Sequence, residues 1–472
     1  MSPIGIDYAP ETRCSDNNPE WLSNQHPVAC NPQLGVRGCG DTLNTCPARC
    51  QQCYDKDFSF IRHELKVNTI TIYAPNYHIL KAAHQLGMKV IVGLYNDAVL
   101  GLATPSNQTN CSSGGTALYL CGSRYASALI DGACVDSSGG DPFALCVPRC
   151  SIRVDPARDC KNGDCSCESD AECFGAGNQC RHGAHIAPLD NPASGEFLRD
   201  GTVVAIQLGN EFLGQCQIPE IPGQNESCCY RDHSGKCRAW TVNRHVISTA
   251  AQTLREALDR RGLKQVKISF GLNDGAEMQF CQNGAPPPGI DYVAAHLYCD
   301  SVAEMPPSWS TLKGTECWQQ VSDDLAKVKK ACGAAHTYIG ETGYNSGCPL
   351  ETKREGRLDA EREFVQAMVS NEPACRNEAD GARTIPDFLF EFADACPPGG
   401  CITGCGDPEQ CNFNCCCKHQ CSGNAKCSAG CPSCFGNGYF GLYHTPRYAT
   451  VGFPPQPKFD PTPSLLCPAP PK

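Results

Sequence analysis

The sequence lacks any long hydrophobic run and any surplus of positive charge. Its longest apolar stretches, such as Val203–Leu208, have the length of a β-strand and fall far short of the ~18 residues that a membrane-spanning helix needs. The 472 residues carry 39 Lys and Arg against 50 Asp and Glu, with a net charge of −11 and no basic block. This balance argues against a nucleic-acid partner and against binding to an anionic membrane surface. Hydrophobic residues make up 41% of the chain, enough for a sizeable core, so wholesale disorder is also excluded.

Several motifs of common enzyme classes are missing as well. No glycine fingerprint of a dinucleotide or phosphate loop follows any early strand-like run. No His-x-x-x-His zinc helix is present, and there is no Gly-x-Ser-x-Gly elbow on which a nucleophilic serine could lie. The sequence therefore gives no reason to expect an organic cofactor or a catalytic metal.

Cysteine, in contrast, is abundant, with 38 residues in the chain. Such a density is typical of disulfide scaffolds and would be hard to keep reduced in the cytosol, so we expect a secreted or cell-wall protein. Sequons at Asn107, Asn110 and Asn225 fit this location and make N-glycans at these positions possible. The first residues have no apolar core of a signal peptide, and we interpret the sequence as a mature form.

Two segments hold a large share of these cysteines: ten lie in 111–180 and eleven in 396–434. Both segments are rich in Gly, Asp, Asn and Ser, so neither is expected to bury a core of its own. We assign 97–190 and 396–434 as cysteine-rich insertions and 452–472 as a proline-rich, extended tail. The whole chain, residues 1–472, is interpreted as one domain that carries these segments.

A metal cluster is the alternative interpretation of these segments. The pairs in Cys431-Pro-Ser-Cys434 and Cys165-Ser-Cys167 have a spacing that suits chelation. The secreted context favours disulfides, and we predict that nearly all cysteines are paired within the chain.

Outside the insertions, short β-like runs alternate with helical patterns, which favours βα units and a parallel sheet. Helical patterns cover approximately Asp57–Val67, Tyr77–Leu86, Ala239–Arg261, Cys317–Ala331 and Thr352–Val369. Eight runs are predicted as strands: Ile4–Tyr8, Thr69–Tyr73, Met88–Leu94, Val203–Leu208, Val266–Gly271, Tyr292–Leu297, His336–Gly340 and Ile385–Phe392. Eight such units are the count of a closed (β/α)₈ TIM barrel, with an open doubly wound sheet as the alternative. Because both insertions follow strands, we expect them on the catalytic face of the barrel.

Two glutamates lie directly after predicted strands, where barrel enzymes place their catalytic groups. The fourth run ends in Leu-Gly-Asn210-Glu211 and the seventh in Ile-Gly-Glu341-Thr-Gly-Tyr344. Two facing carboxyl groups are what glycoside hydrolysis needs, since one protonates the leaving oxygen while the other meets the developing positive charge. For either glutamate alone, a helix cap or a surface ion pair is an equally good interpretation.

These two motifs resemble those of glycoside hydrolase family 17, the β-1,3-glucanases and β-1,3-glucanosyltransferases. The family has Gly-Asn-Glu after strand four and Gly-Glu-Thr-Gly-Trp-Pro-Ser after strand seven, and this sequence has Tyr344 and Asn345 in place of the Trp and Pro. Weaker similarities in Val90–Leu94, Phe388–Asp394 and Gly438–Leu442 follow in the same order. The resemblance covers most of the chain except the two insertions.

The resemblance implies roles for individual residues. Glu211 would be the general acid/base and Glu341 the nucleophile of a retaining mechanism. Asn210 would hold the 2-hydroxyl of the sugar. Tyr298 would donate a hydrogen bond to Glu341 and keep it ionised.

The remaining candidates for substrate binding lie at other strand exits. His296 departs from the family pattern, and a structural role satisfied by hydrogen bonds at the barrel mouth is at least as good an interpretation. Glu391 and Asp394 at the eighth exit are candidates for binding sugar hydroxyls or for a structural role. Tyr73 and Asn96 at the second and third exits are similar candidates.

The sequence thus predicts a secreted, retaining glycoside hydrolase or transglycosylase that acts on β-1,3-glucan through two glutamates. The alternative is a cysteine-rich extracellular protein that uses the barrel as a structural scaffold or glycan-binding module. The cysteine content supports this alternative, whereas the presence of both Glu211 and Glu341 speaks against it, because a fold does not require them.

Overall fold

The computed structural model describes part of the chain, and the statements below concern that part. The described residues are 2–8, 47–73, 75–94, 96–105, 111–113, 116–118, 121–131, 133–135, 149–150, 180–181, 184–186, 189–190, 196–210, 229–231, 237–239, 244–273, 276–299, 312–344, 354–372, 375, 385–392, 442–444, 456–457, 459 and 462–468.

Eight parallel strands form the centre of the molecule. They are β1 (Gly5–Asp7), β2 (Thr69–Ile72), β3 (Lys89–Leu94), β4 (Val203–Leu208), β5 (Lys267–Asn273), β6 (Tyr292–His296), β7 (Thr337–Glu341) and β8 (Phe388–Leu389). Each lies within one of the eight predicted runs or overlaps it closely. The runs are apolar because the strands are covered on both sides, as in other all-parallel sheets.

The strands follow one another around the sheet in sequence order, and β8 pairs with β1. The ring is nearly closed between β7 and the segment around β8. There the Phe390 N–H donates to the carbonyl of Thr342 at 2.8 Å, and the Ile339 N–H donates to the carboxylate of Asp387 at 2.7 Å. The predicted (β/α)₈ barrel is therefore confirmed, and the open doubly wound sheet is wrong.

Helices surround the barrel. They are α1 (Pro47–His63), α2 (Tyr77–Gln85), α3 (Asn96–Ala103), α4 (Gly122–Asp131), α5 (Glu196–Arg199), α6 (Arg244–Arg260), α7 (Gly314–Cys332) and α8 (Arg354–Asn371). Short 3₁₀ turns cover Ala276–Gln279 and Ala334–His336. In the described residues, no helix is both long enough and apolar enough to span a bilayer.

Along β1, successive residues alternate between the interior of the barrel and the layer between the strands and the helices. Tyr8, just after β1, points outward to α1, where its ring packs on Phe58 with a centroid distance of 4.9 Å and its hydroxyl donates to Asp57. Gly5 points inward, where a Cβ would lie only 2.2 Å from the Phe388 ring. Glycine is thus required here so that Phe388 can fill the barrel interior. Asp7, two residues further on, also belongs to the inward set.

The segment assigned as the first insertion contains regular helices. Residues 97–103 lie in α3, and α4 buries Tyr125 and Leu129 against the core. Both helices contact α6, and the carboxylate of Asp131 pairs with the guanidinium of Arg261. The helical layer of the barrel therefore continues into this segment.

Short antiparallel hairpins accompany the barrel. They pair Cys111–Ser113 with Thr116–Leu118, Ala133–Val135 with Ala184–Ile186, Arg149–Cys150 with Cys180–Arg181, Cys229–Arg231 with Cys237–Ala239, and Tyr443–His444 with Gln456–Pro457. Cys111–Ser113 contacts Cys229–Arg231, which follows β4. The second insertion, 396–434, lies outside the described residues.

Every cysteine whose side chain is described belongs to a disulfide. The pairs are Cys281–Cys332, Cys299–Cys317 and Cys375–Cys467, and Cys121 is also disulfide-bonded. This agrees with the prediction of disulfides for the residues concerned. The Cys-x-x-Cys and Cys-x-Cys pairs that prompted the metal alternative lie outside the described residues.

Candidate active site

Polar side chains gather at the carboxyl ends of four neighbouring strands. Glu341 ends β7, Glu391 lies just beyond β8, Asp7 ends β1 and Tyr73 follows β2. Because these strands are adjacent around the ring, the four side chains form one arc at the barrel mouth. The carboxyl end is the edge at which barrels of this class build their sites.

Glu341 lies at the centre of the interactions in this arc. Its side chain is only 5% exposed. The hydroxyl of Tyr298 lies 3.2 Å from Oε2 and donates to it, and Nδ1 of His296 lies 3.4 Å from Oε1. Donors on a carboxylate favour its charged form over the neutral acid. The arrangement thus suits a glutamate that works as an ionised group.

Asp7 is in the opposite situation. It is fully buried. Among the described residues, no donor forms a well-directed hydrogen bond to either of its carboxylate oxygens. Burial raises the pKa of Asp7 well above its ordinary value, and the charge of Glu341 and, less strongly, of Glu391 add to this. The hydroxyls of Thr71 and Tyr73 lie near enough to oppose the shift only in part. The site therefore places a carboxyl group that is driven to keep its proton next to Glu341, whose Oε2 accepts a hydrogen bond from Tyr298.

Aromatic rings flank these acids. The Phe390 ring meets Tyr73 and Tyr298 edge-on, at centroid distances of 6.4 and 6.3 Å. Burial raises the pKa of Tyr73 well above its ordinary value, and the charges of Asp7 and Glu341 raise it further. Tyr73 therefore stays a neutral phenol and can donate a hydrogen bond.

A further buried acid, outside this arc, lies behind the mouth. Glu277, in the 3₁₀ turn after β5, is fully buried and accepts the Leu272 N–H at 3.0 Å. Burial raises the pKa of Glu277 to about 8, against smaller lowering effects that include backbone hydrogen bonds and the charge of His296. Nothing in the sequence pattern indicated Glu277.

The fourth strand exit is described as far as Asn210. Gly209 precedes it with a φ of 68°, a left-handed conformation that glycine adopts without strain. The Gln207 amide donates to the carbonyl of Gly209 at 3.4 Å. Glu211, the second glutamate of the predicted pair, lies outside the described residues.

The structure brings together the predicted residues Tyr73, His296, Tyr298, Glu341 and Glu391, and adds Asp7. Asn96 is the first residue of α3, and its side chain is not among those described. Asp394 and the sequon residues Asn107, Asn110 and Asn225 lie outside the described residues. Asp7 could have been found, because it is a single acid at the carboxyl end of a predicted strand.

The described residues thus define an α/β barrel with a partly aromatic, carboxyl-rich mouth. No protein-family model matches the sequence, and no curated protein matches it.

Solved structures that resemble the chain include several β-glucan enzymes. One is CJP38, a β-1,3-glucanase and allergen of Cryptomeria japonica pollen, with 11% identity, a TM-score of 0.42, and coverage of 95% of this chain and 98% of that one. Another is an active-site mutant of the Rhizomucor miehei β-1,3-glucanosyltransferase in complex with laminaritriose, with 10% identity, a TM-score of 0.40, and coverage of 96% and 97%. A third is a plant β-glucan endohydrolase with 12% identity, a TM-score of 0.37, and coverage of 72% and 87%. Similarity at this level does not establish an activity.

Proposed function

We propose that the protein is a secreted, retaining glycoside hydrolase or transglycosylase that acts on β-1,3-glucan. The observation that carries the proposal is the environment of Glu341, a nearly buried carboxylate at a barrel strand exit with a hydroxyl and an imidazole beside its two oxygens. A carboxylate prepared in this way suits attack on an anomeric carbon. The Glu211 and Glu341 motifs, which resemble those of family 17, supply the substrate class.

The proposed reaction has two steps. Glu341 attacks the anomeric carbon while Glu211 protonates the oxygen of the leaving sugar, so the glycosidic bond breaks as the glycosyl–enzyme bond forms. Glu211 then takes a proton from water or from the hydroxyl of an acceptor sugar, whose oxygen displaces Glu341. Water gives hydrolysis and a sugar acceptor gives transglycosylation. Asn210, Tyr73 and Glu391 are proposed to bind sugar hydroxyls near the reacting carbon.

The experiment is product analysis on linear β-1,3-glucan oligomers of defined length. Shorter oligomers indicate hydrolysis, and products longer than the substrate indicate transfer. Glu341→Gln serves as the inactive reference, and Asp387→Asn serves as a control because Asp387 lies before β8, at the amino end of the strands. Turnover that persists in Glu341→Gln would contradict the proposal.

The second candidate is an extracellular structural or glycan-binding protein built on the same barrel. The content of 38 cysteines favours it, because a durable surface assembly benefits from many cross-links. It predicts binding of β-1,3-glucan without any product, equal in the native protein and in Glu341→Gln. The oligomer experiment therefore separates the two candidates.

A further inference from the structure

The His296 imidazole is buried between two glycines of the neighbouring strands. His296 ends β6, and its side chain is 0% exposed. On one side, a Cβ at Gly271 would lie 2.8 Å from Nε2 of the imidazole. On the other side, a Cβ at Gly340 would lie 3.0 Å from Cδ2. Since both neighbouring strands carry glycine where they face the ring, any larger residue would displace it, and the imidazole is held in one position.

The two nitrogens of this ring face different surroundings. Nδ1 lies 3.4 Å from Oε1 of Glu341. Nε2 faces Gly271, where a Cβ would lie 2.8 Å from it. The side of the ring that carries Nδ1 is therefore the one directed at the proposed nucleophile.

The backbone at His296 is fixed from behind. The carboxyl group of Glu277 accepts the backbone N–H of Leu272 at 3.0 Å and lies close enough to the His296 backbone for that backbone to influence its pKa, so it lies at the ends of both β5 and β6. The disulfide between Cys281 and Cys332 ties the segment after Glu277 to α7. The position of the imidazole thus depends on two strands and one helix.

We propose that His296 is a positioning residue for Glu341, keeping Nδ1 in polar contact with Oε1 while the Tyr298 hydroxyl donates to Oε2. Two polar partners on one carboxylate fix its plane and favour its charged form. His296 ends β6 and Tyr298 lies two residues further along the chain, so the two side chains move together. Glu341 therefore keeps one orientation toward the anomeric carbon. This role differs from the predicted binding of sugar hydroxyls by His296. The rate experiment that tests this role rests on the proposed function, whereas the measurement on the His296 ring signals does not.

Among the described residues, the titratable groups around the ring come from three elements. Glu341 faces it from β7, Glu277 lies behind it in the turn after β5, and Tyr298 follows it on its own segment. Glu341 is the group within contact of Nδ1, so the pH dependence should reflect Glu341.

The rate experiment uses three variants and laminarin oligomers. His296→Leu fills the space without a donor, and we expect kcat to fall about 10- to 100-fold with little change in KM. The acid limb of the pH–rate profile should move to higher pH, because a carboxylate that loses a donor is protonated more easily. His296→Asn can place an amide N–H where Nδ1 lies, whereas the longer His296→Gln reaches toward Nε2. We therefore expect Asn to retain more activity than Gln.

A matched control is His84, which lies 2.7 Å from Asp200 and 3.2 Å from Thr202, next to the amino end of β4. His84→Leu removes a comparable histidine–carboxylate contact far from the mouth, and it should leave the acid limb unchanged. An unchanged acid limb in His296→Leu, equal rates for Asn and Gln, or a rise in KM at constant kcat would each overturn the positioning role.

A second measurement needs no activity. In protein labelled with ¹⁵N-histidine, the His296 ring signals are assigned by their loss in His296→Asn, and they are compared between the native protein and Glu341→Gln. We expect the Nδ1 signal of His296 to shift in Glu341→Gln while the His84 signals stay in place. Unchanged His296 signals would overturn the pairing. A shift in a protein that leaves laminarin intact would keep the pairing and reject the proposed function.

Discussion

Tyr298 and Glu341 are held opposite each other by two hydrogen bonds between the chain segments that carry them. The Leu297 N–H donates to the carbonyl of Glu341 at 3.0 Å, and the Thr342 hydroxyl donates to the carbonyl of Leu297 at 2.7 Å. The Tyr298 hydroxyl then reaches Oε2 of Glu341 at 3.2 Å. The contact is therefore a product of the register of two strands, and it does not depend on a flexible loop.

The first prediction concerns this hydroxyl. Tyr298→Phe should lower kcat about tenfold, because Glu341 loses a donor that favours its charged form and fixes its orientation. The thermal midpoint should change little. The control is Tyr338→Phe, which removes a 3.3 Å hydrogen bond to Ser269 deeper in the barrel. That variant should cost about 1 kcal/mol of stability and leave kcat unaffected. Equal kcat losses in the two variants would contradict a specific role for Tyr298.

The second prediction follows from the raised pKa of Asp7. A carboxyl group whose pKa is higher in the folded state contributes stability that is present below its unfolded pKa of about 3.9 and is lost as the pH rises through the folded pKa. Asp7→Asn carries no such group. Its thermal midpoint relative to the native protein should therefore increase as the pH is raised from about 4.

The control for Asp7 is Asp387→Asn. Asp387 is also buried, but its carboxylate accepts the Ile339 N–H at 2.7 Å, and it lies before β8, away from the mouth. The difference in midpoint between this variant and the native protein gives the reference for a buried carboxyl group that accepts a backbone N–H. If the difference for Asp7→Asn did not increase with pH, Asp7 would not be the proton-holding acid of the site.

The third prediction uses the pKa of Glu277, which burial raises to about 8. The same sign applies, so the stability that Glu277 contributes is lost between its unfolded pKa of about 4.3 and a pH of about 8. Glu277→Gln keeps an acceptor for the Leu272 N–H. The thermal midpoint of this variant minus that of the native protein should increase from about pH 4.3 to about pH 8 and remain constant at higher pH. Glu64→Gln, an exposed glutamate just after α1, is the reference. A gain that begins only above pH 8 would contradict the assignment.

The fourth prediction concerns the disulfides. Cys281–Cys332 closes a sequence separation of 51 residues and Cys299–Cys317 one of 18. Loop-closure entropy then gives about 4 kcal/mol for the first and about 3 kcal/mol for the second. The double replacement of Cys281 and Cys332 by Ala should therefore lower the unfolding free energy more than that of Cys299 and Cys317, as measured by urea denaturation. The reverse order would show that chain entropy does not dominate.

The barrel could be predicted because its strands are buried on both sides. Runs such as Val203–Leu208 and Tyr292–Leu297 contain few polar residues, and nearly the whole of each forms a strand. The helices were less visible. The sequence pattern predicts α1 only from Asp57 onward, because most residues between Pro47 and Lys56 are polar or cysteine, whereas the helix begins at Pro47. Similarly, α3 and α4 lie in a segment whose cysteine content favoured irregular loops.

The site could be predicted only where a residue follows a strand directly. Glu341 can be predicted in this way, since the exit of a barrel strand defines the position of its next residues, whereas Tyr298 was implied by the resemblance to family 17. The pKa shifts of Asp7 and Glu277 could not be predicted. They depend on Asp7 being brought next to Glu341 by closure of the ring, and on the burial of Glu277 in a turn near the Cys281–Cys332 disulfide. Such long-range neighbours leave no periodic signal in a single sequence.

The last prediction is geometric and concerns both glutamates. If the reaction retains configuration, Glu341 must reach the anomeric carbon while Glu211 reaches the glycosidic oxygen, and the two carboxyl groups must lie about 5–5.5 Å apart. An inverting enzyme leaves roughly 6.5–9.5 Å for a water molecule. Since β4 and β7 are three strands apart around the ring, the longer side chain of Glu, compared with Asp, supplies the reach across the mouth. A crystal structure with an oligosaccharide bound would measure the separation directly.

Kinetics test the same assignment independently. Glu341→Gln should abolish turnover with little loss of stability, because Gln fills the same volume and can still accept from the Tyr298 hydroxyl. Glu211→Gln should also be severely impaired, but on a substrate with a good leaving group azide should restore its activity by attacking the glycosyl intermediate without needing a general base. The rescued product should be a β-glycosyl azide, since two inversions retain the configuration. An α-glycosyl azide, or rescue of Glu341→Gln to the β-product, would mean that the two glutamates do not hold these roles.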